Sequence, residues 1–124
     1  MALIWAVDDD QDLTALYHEL LGEAGHTVRT ANDPCVVPGW MGAGAHPDLM
    51  ILDYHMPGMN GLELAGIVRH AGYTGPIVMV SSSRTITVVP LFVTAVVRKP
   101  FESDEFLDRV TMLLPQKAQA HAAL

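Results

Sequence analysis

The sequence predicts an α/β protein, a doubly wound parallel sheet covered by helices on both faces. Three observations predict it. Short, continuous apolar runs at residues 3–7, 49–52 and 76–80 suit strands buried on both sides. Segments whose apolar residues recur at helical spacing separate these runs. Each run also ends abruptly in polar groups, Asp8-Asp9-Asp10, Asp53 and Ser81-Ser82-Ser83, which is where an open α/β sheet forms its ligand crevice. Strands alternating with helices imply parallel pairing through right-handed crossovers.

Taken in order, Leu3-Ile4-Trp5-Ala6-Val7 forms the first strand. From Asp12, the residues Leu13, Leu16, Tyr17, Leu20, Leu21 and Ala24 mark a helix over about 12–24, with Asp12 placed to cap it or favour its N-terminus and Gly25 placed to stop it. Asp10 reads as loop or as charge flanking the helix. His26 to Thr30 alternate as a short strand, and Ala31-Asn32-Asp33-Pro34 turns the chain into a second helix. That helix is expected to be short or distorted, because Val36-Val37-Pro38-Gly39 and Gly42-Ala43-Gly44 both contain breakers.

Residues 49–52 form the next strand, ending at Asp53. Met56 to Gly61 is a loop by composition, and Leu62, Leu64, Ala65, Ile67 and Val68 continue as a helix to about His70. After the turn from Gly72 to Gly75, residues 76–80 form a buried strand, and a last strand containing Val96 and Val97 ends at Lys99. Ser103, as N-cap, opens an amphipathic helix over 103–114 built on Phe106, Leu107, Val110, Leu113 and Leu114, and Pro115 stops it.

The chain has 124 residues, enough for one domain with one real core. It is expected to occupy residues 1–114, followed by a tail at 115–124 and no output domain. The longest apolar run, Ile86 to Val97, is interrupted by Pro90 and is shorter than the roughly 18 residues of a membrane span. No membrane crossing is expected. The first residues lack a basic segment and run into three aspartates, so they do not read as a secretory signal. A cytoplasmic location follows as the expectation. One cysteine, Cys35, cannot form an internal disulfide and reads as a core thiol in a reducing compartment. A formal net charge of -7 without a basic stripe argues against direct nucleic-acid binding.

The strand ends would bring Asp8, Asp9, Asp53, Ser81 and Lys99 to one crevice. Converging carboxylates repel, so either a cation joins them or some remain protonated. A hard divalent ion is the simpler solution, and all-oxygen ligation suits Mg²⁺ or Mn²⁺. In such a site Asp53 can attack phosphorus to form an acyl phosphate, if a metal, a lysine and a hydroxyl offset the charge on the equatorial oxygens. Lys99 and Ser81 have those capabilities.

At this point the residues resemble a known family, the response-regulator receiver domain. The resemblance rests on "VDDD" after the first strand, "ILDYHMPGMNGLEL" around Asp53, "VMVSSS" and "RKPF", and it covers residues 3 to about 114. It implies a flavodoxin-like, five-stranded sheet of order 2-1-3-4-5. It also implies Asp53 as phosphoacceptor, Asp9 as a direct metal ligand, Asp8 as its water-linked neighbour, and the His55 backbone carbonyl as a further ligand of Mg²⁺ or Mn²⁺. Ser81 would then bind a phosphoryl oxygen and Lys99 would pair with it, with Lys99-Pro100 cis. The His55 side chain, two residues past Asp53, would shield the phosphoryl group, orient water, or serve only as filler.

Two departures from the family pattern fall together. Ser81 and Lys99 are eighteen positions apart, against roughly twenty-two in typical receivers, a shortfall of about one helical turn. The intervening run is β-branched and broken by Pro90, so the fourth helix is expected to be absent, very short or replaced by loop. Three residues before the lysine, where the family usually has a switching Tyr or Phe, stands Val96, with Phe92 near it in sequence. Val88, Val89, Leu91, Phe92 and Val93 would then expose an apolar patch suited to a partner or to a homodimer through residues 86–97, or else would pack on the chain's own core.

The resemblance implies a stand-alone phosphoacceptor in a phosphorelay. It would take a phosphoryl group from a sensor histidine kinase, signal through a separate protein target, or pass the group to a histidine phosphotransfer protein. A phosphorylation-independent interaction module on the same fold is the alternative. An enzyme or flavin binder fits poorly, because no glycine-rich phosphate loop follows the first strand.

Overall fold

The structure, a computed structural model, describes residues 1–83, 86 and 89–115. Five strands, β1 (Leu3–Val7), β2 (Thr27–Ala31), β3 (Leu49–Asp53), β4 (Ile77–Ser81) and β5 (Ala95–Arg98), form one sheet in the order β2-β1-β3-β4-β5. Every neighbouring pair is parallel. The helices are α1 (Gln11–Glu23), α2 (Val37–Gly42), α3 (Gly61–His70) and α4 (Ser103–Leu113).

Successive side chains of a strand point to opposite faces, and each face has its own core. Trp5, Val7, Met50, Leu52 and Met79 pack with Val37 and Met41 of α2 and Leu64 and Val68 of α3. Ile4, Ala6, Ile51, Val78 and Val80 pack with Tyr17 and Leu21 of α1 and Phe106 and Val110 of α4. Both faces of β3 and β4 are therefore fully buried, which is why these strands read as unbroken apolar runs.

The helix ends show where local chemistry was misjudged. α1 is capped by Asp10, whose carboxylate accepts from the amides of Asp12 and Leu13. Asp10 is therefore the cap, because an N-cap oxygen must lie ahead of the two amides it receives. Asp12 sits inside the first turn, where its charge favours the helix dipole. Gly25 ends the helix at φ 96°, a left-handed conformation that a side chain would strain. α2 is six residues long and follows a 3₁₀ turn, Pro34–Val36, capped by Asp33. Cys35 is exposed, not a core thiol, since the residue this turn buries is Pro34. Ser103 is the first residue of α4, not its cap. Glu102 holds the cap position without a side-chain bond, and Asp104 and Glu105 supply negative charge to the first turn.

The crossover from β4 to β5 is the unusual part. Arg84, Thr85, Thr87 and Val88 lie outside the described residues, and among the described ones between these strands none is helical. A turn at residues 89–93, closed by the amides of Phe92 and Val93 donating to the Val89 carbonyl at 2.8 and 3.0 Å, stands in this stretch. Side chains anchor it. Arg69 of α3 donates to the Phe92 carbonyl at 3.1 Å, and to the carbonyls of Tyr73 and Gly75. The Phe92 ring lies over Gly66, and Val93 is buried in the core on the α2–α3 face. Thr94 accepts from the Ile77 amide at 3.0 Å, tying the crossover back to the start of β4. The expected patch is thus smaller than the composition suggests. Leu91 is 81% exposed and Val89 36%, while Val93 belongs to the core. The Val88 part of that expectation, and the tail from residue 116, lie outside the described residues. Among the described residues no helix is long and apolar enough to cross a membrane.

Candidate functional site

The sheet delivers its polar residues to one edge, as its topology requires. Asp8 directly follows β1, Asp53 ends β3, Ser81 ends β4 and Lys99 directly follows β5. The ladders run on into the site. The Asp8 amide donates to the Ala31 carbonyl at 3.0 Å, the Tyr54 amide to Val80 at 2.9 Å, and the Lys99 amide to Ser81 at 2.9 Å. Rigid strands, not loops, therefore set the spacing of these groups.

Carboxylate oxygens of Asp8, Asp9 and Asp53 all lie within 4.8 Å of one another. Lys99 bridges two of them, its Nζ donating to Asp8 Oδ2 at 3.0 Å and to Asp53 Oδ1 at 3.1 Å. Asp8 Oδ1 accepts from the Asp10 amide at 2.9 Å. Burial pushes the Asp53 carboxyl above the ordinary carboxylate range, and the charge of Asp8 adds to this, against the pull of Lys99. Burial likewise raises the Asp8 carboxyl, opposed by the Asp10 amide and Lys99. Burial alone would lower the Lys99 ammonium, yet its bonds to Asp8 and Asp53 raise it above 10.5. Three carboxylates against one ammonium leave surplus negative charge in a partly buried, all-oxygen site. That donor chemistry fits a hard divalent cation.

Ser81 is fully buried, and its hydroxyl accepts from the Ser83 amide at 3.0 Å. His55 is exposed on the loop after β3, with its ring edge-on to Tyr54. Lys99-Pro100 is cis, as the family resemblance implies.

The sequence reading missed several residues that build this site. Asn32 donates both to the Asp8 carbonyl at 2.9 Å and to the Thr14 hydroxyl at 3.0 Å, tying the loop after β2 to α1. Gly61, read only as loop, begins α3 against β3. A Cβ there would collide with the Asp53 backbone carbonyl and approach Met79 Sδ to 2.6 Å. Gly61→Ala is expected to cost about 1–3 kcal/mol and to displace the Asp53 backbone. Chemical denaturation, together with the Asp53 amide shift in NMR, checks both effects. Its sequence signal was a glycine directly after Asn60, the residue that forms a capping box with Glu63.

Comparisons with known proteins agree with this geometry. The family model for the response regulator receiver domain matches residues 4–111. Response regulator MprA of Mycobacterium leprae is 33% identical over 124 residues, covering 97% of this chain and 54% of that protein. Transcriptional regulatory protein KdpE of Mycobacterium tuberculosis is 31% identical over 116 residues, covering 89% of this chain and 50% of that protein. The chain spans about half the length of the curated relatives it matches. Among solved structures, response regulator TrrA from Thermotoga maritima, in complex with Mg²⁺-BeF, superimposes with a TM-score of 0.82 at 31% identity, covering 92% of this chain and 100% of that one.

Proposed function

Because the chain belongs to the response regulator receiver domain family, we propose that it is a phosphoacceptor, phosphorylated on Asp53 by a sensor histidine kinase or a histidine phosphotransfer protein. The observation that carries this reading is the clustering of three carboxylates with Lys99 held across two of them. Asp8, Asp9, Asp53 and the His55 carbonyl would hold Mg²⁺ or Mn²⁺. When bound, that ion supplies positive charge to the phosphoryl oxygens.

The chain's own residues do the rest. Lys99 engages Asp53 Oδ1, which leaves Oδ2 to attack phosphorus. A phosphorus–oxygen bond forms, the phosphorus–nitrogen bond to the donor histidine breaks, and the imidazole leaves with the electron pair and takes up a proton. Lys99 then turns to a phosphoryl oxygen, and the Ser81 hydroxyl donates its proton to another, both offsetting charge that develops there. The domain occupies residues 1–114 and works in the cytoplasm. The response is read by a separate protein target, and the segment between β4 and β5 is the surface through which that target, or a second copy of the chain, senses the change.

Incubation with acetyl phosphate and Mg²⁺ is expected to add the mass of one phosphoryl group, and chelating the metal is expected to prevent it. Two-dimensional NMR should place the largest shifts around Asp53, Ser81 and Lys99. A mass that never changes, or a gain indifferent to divalent ions, would sink the proposal.

A further inference from the structure

The outer face of α3 carries a pattern that complements itself. Leu64, Ala65 and Val68 are buried toward the sheet, and Glu63, Gly66, Ile67 and His70 form a stripe on the other side of the helix. Steps of three, one and three residues keep that stripe close to the helix axis. Its midpoint lies between Gly66 and Ile67, with Glu63 and His70 at equal distances on either side, about 5 Å along the axis. The first turn is acidic at Glu63, and the last turn is basic at Arg69 and His70. A second α3 laid antiparallel across this midpoint therefore brings the acidic end of each helix to the basic end of the other.

The charged side chains of the stripe are already held in place. Glu63 Oε1 accepts from the Asn60 amide at 3.0 Å, leaving Oε2 for a further donor. The His70 ring is fixed by its Nδ1 on the Gly66 carbonyl, at 3.0 Å. Among the described residues neither side chain makes an ion pair. Groups ordered in advance lose less freedom on association.

The crossover from β4 to β5 gives the stripe an apolar wall. The Phe92 ring lies over Gly66 and, with Glu63, Ile67 and His70, bounds an open hollow of about 540 Å³. Ile67 is 39% exposed and Leu91, beside Phe92, 81%. With a net charge of -7, most of the surface repels a second copy. This face instead combines both signs of charge with large apolar side chains.

We propose that α3 and the turn at residues 89–93 form an isologous interface with a second copy of this chain, Glu63 of each copy facing His70 of the other and Ile67 of each seated on Gly66 of the other. A two-fold contact requires that every residue meet its counterpart reciprocally, and the spacing of this stripe meets that requirement. Gly66, without a side chain, leaves room for Ile67 to enter. The two-fold axis also keeps both turns on one side of the helix pair, so each Leu91 flanks the other copy's hollow. A stable interface covers about 800 Å² on each partner, more than a three-turn helix face and one turn supply, so the association is a concentration-dependent equilibrium. It needs no phosphoryl chemistry and stands apart from the phosphoacceptor reading, although it engages a helix that begins against Asp53.

Sedimentation of the full chain, without a phosphoryl donor, is expected to show monomer and dimer in exchange between micromolar and millimolar concentration. Ile67→Glu is expected to weaken the dimer about ten-fold or more, because it sets two like charges beside the two-fold axis. His70→Glu is expected to weaken it too, by opposing Glu63. Adding Glu63→Gln, which can keep the capping box, is expected to recover part of that loss, a recovery that a merely misfolded variant would not show. Urea midpoints close to that of wild type check that the variants fold. A chain that stays monomeric over the whole range would overturn the proposal. So would a dimer that both Ile67→Glu and His70→Glu leave intact, since its interface would lie on another face.

Discussion

Asp53→Asn is expected to abolish phosphoryl uptake from acetyl phosphate, with no residual mass gain, while making the metal-free protein more stable by about 1 kcal/mol. The two effects share one cause. The carboxylate needed as nucleophile is held where burial and the neighbouring Asp8 disfavour its charge, with only Lys99 opposing them. The amide keeps the shape and removes the repulsion. The pH dependence follows with a definite sign. A carboxyl whose folded pKa lies above the ordinary 3.8 binds more protons folded than unfolded, so stability falls as pH rises from that value through the folded pKa, then levels off. Asp8 acts in the same direction. Wild type without divalent ions should therefore lose stability across this acidic window, and Asp53→Asn should flatten the slope. Adding Mg²⁺ at neutral pH should restore more stability to wild type than to the variant. Urea titrations at several pH values with parallel intact-mass measurements check this. A variant that is less stable than wild type at neutral pH would contradict the assigned charge balance.

Lys99→Met is expected to be the most destabilising single change in the site, costing about 3 kcal/mol at neutral pH. The lysine is shared by two buried carboxylates at 3.0 and 3.1 Å, and methionine keeps most of its length while leaving both unpaired. In acid the difference should shrink, because protonation removes the charges that the ammonium offsets. In wild type the contribution of Lys99 is fully present from neutral pH up to 10.5 and is lost as pH rises through its raised folded pKa. Denaturant midpoints measured from acid to strongly alkaline pH resolve both limits. A variant tracking wild type over that whole range would show that the ion pairs contribute nothing.

Much of this molecule is legible in the chain because parallel strands buried on both faces must be apolar throughout, and the residues after them must be polar. Asp8, Asp53, Ser81 and Lys99 announce themselves as interruptions at the ends of such runs. Local capping was less legible. Three consecutive aspartates can each serve a helix start, and only the path of the backbone selects Asp10. Cys35 was misplaced, and Val93 was left open between surface patch and core, for a related reason. Apolar character says that a side chain can be buried, not that a neighbour is there to bury it, and the 3₁₀ turn leaves Cys35 outside while Arg69 draws the Phe92 turn, and Val93 with it, onto α3.

By itself, the sequence determined the class of fold, the strand ends that carry charge, and the poverty of helix formers before Lys99. These are local properties, set by composition and periodicity over a few residues. Tertiary structure alone decided that Lys99 meets Asp8 and Asp53, which lie 91 and 46 positions away along the chain. It alone placed Gly61 against Asp53 and buried the Tyr17 hydroxyl without a partner among the described residues. A hydrogen bond or a steric limit depends on where a second, distant segment comes to rest, and periodicity records only which face of a segment turns inward, not what it meets there.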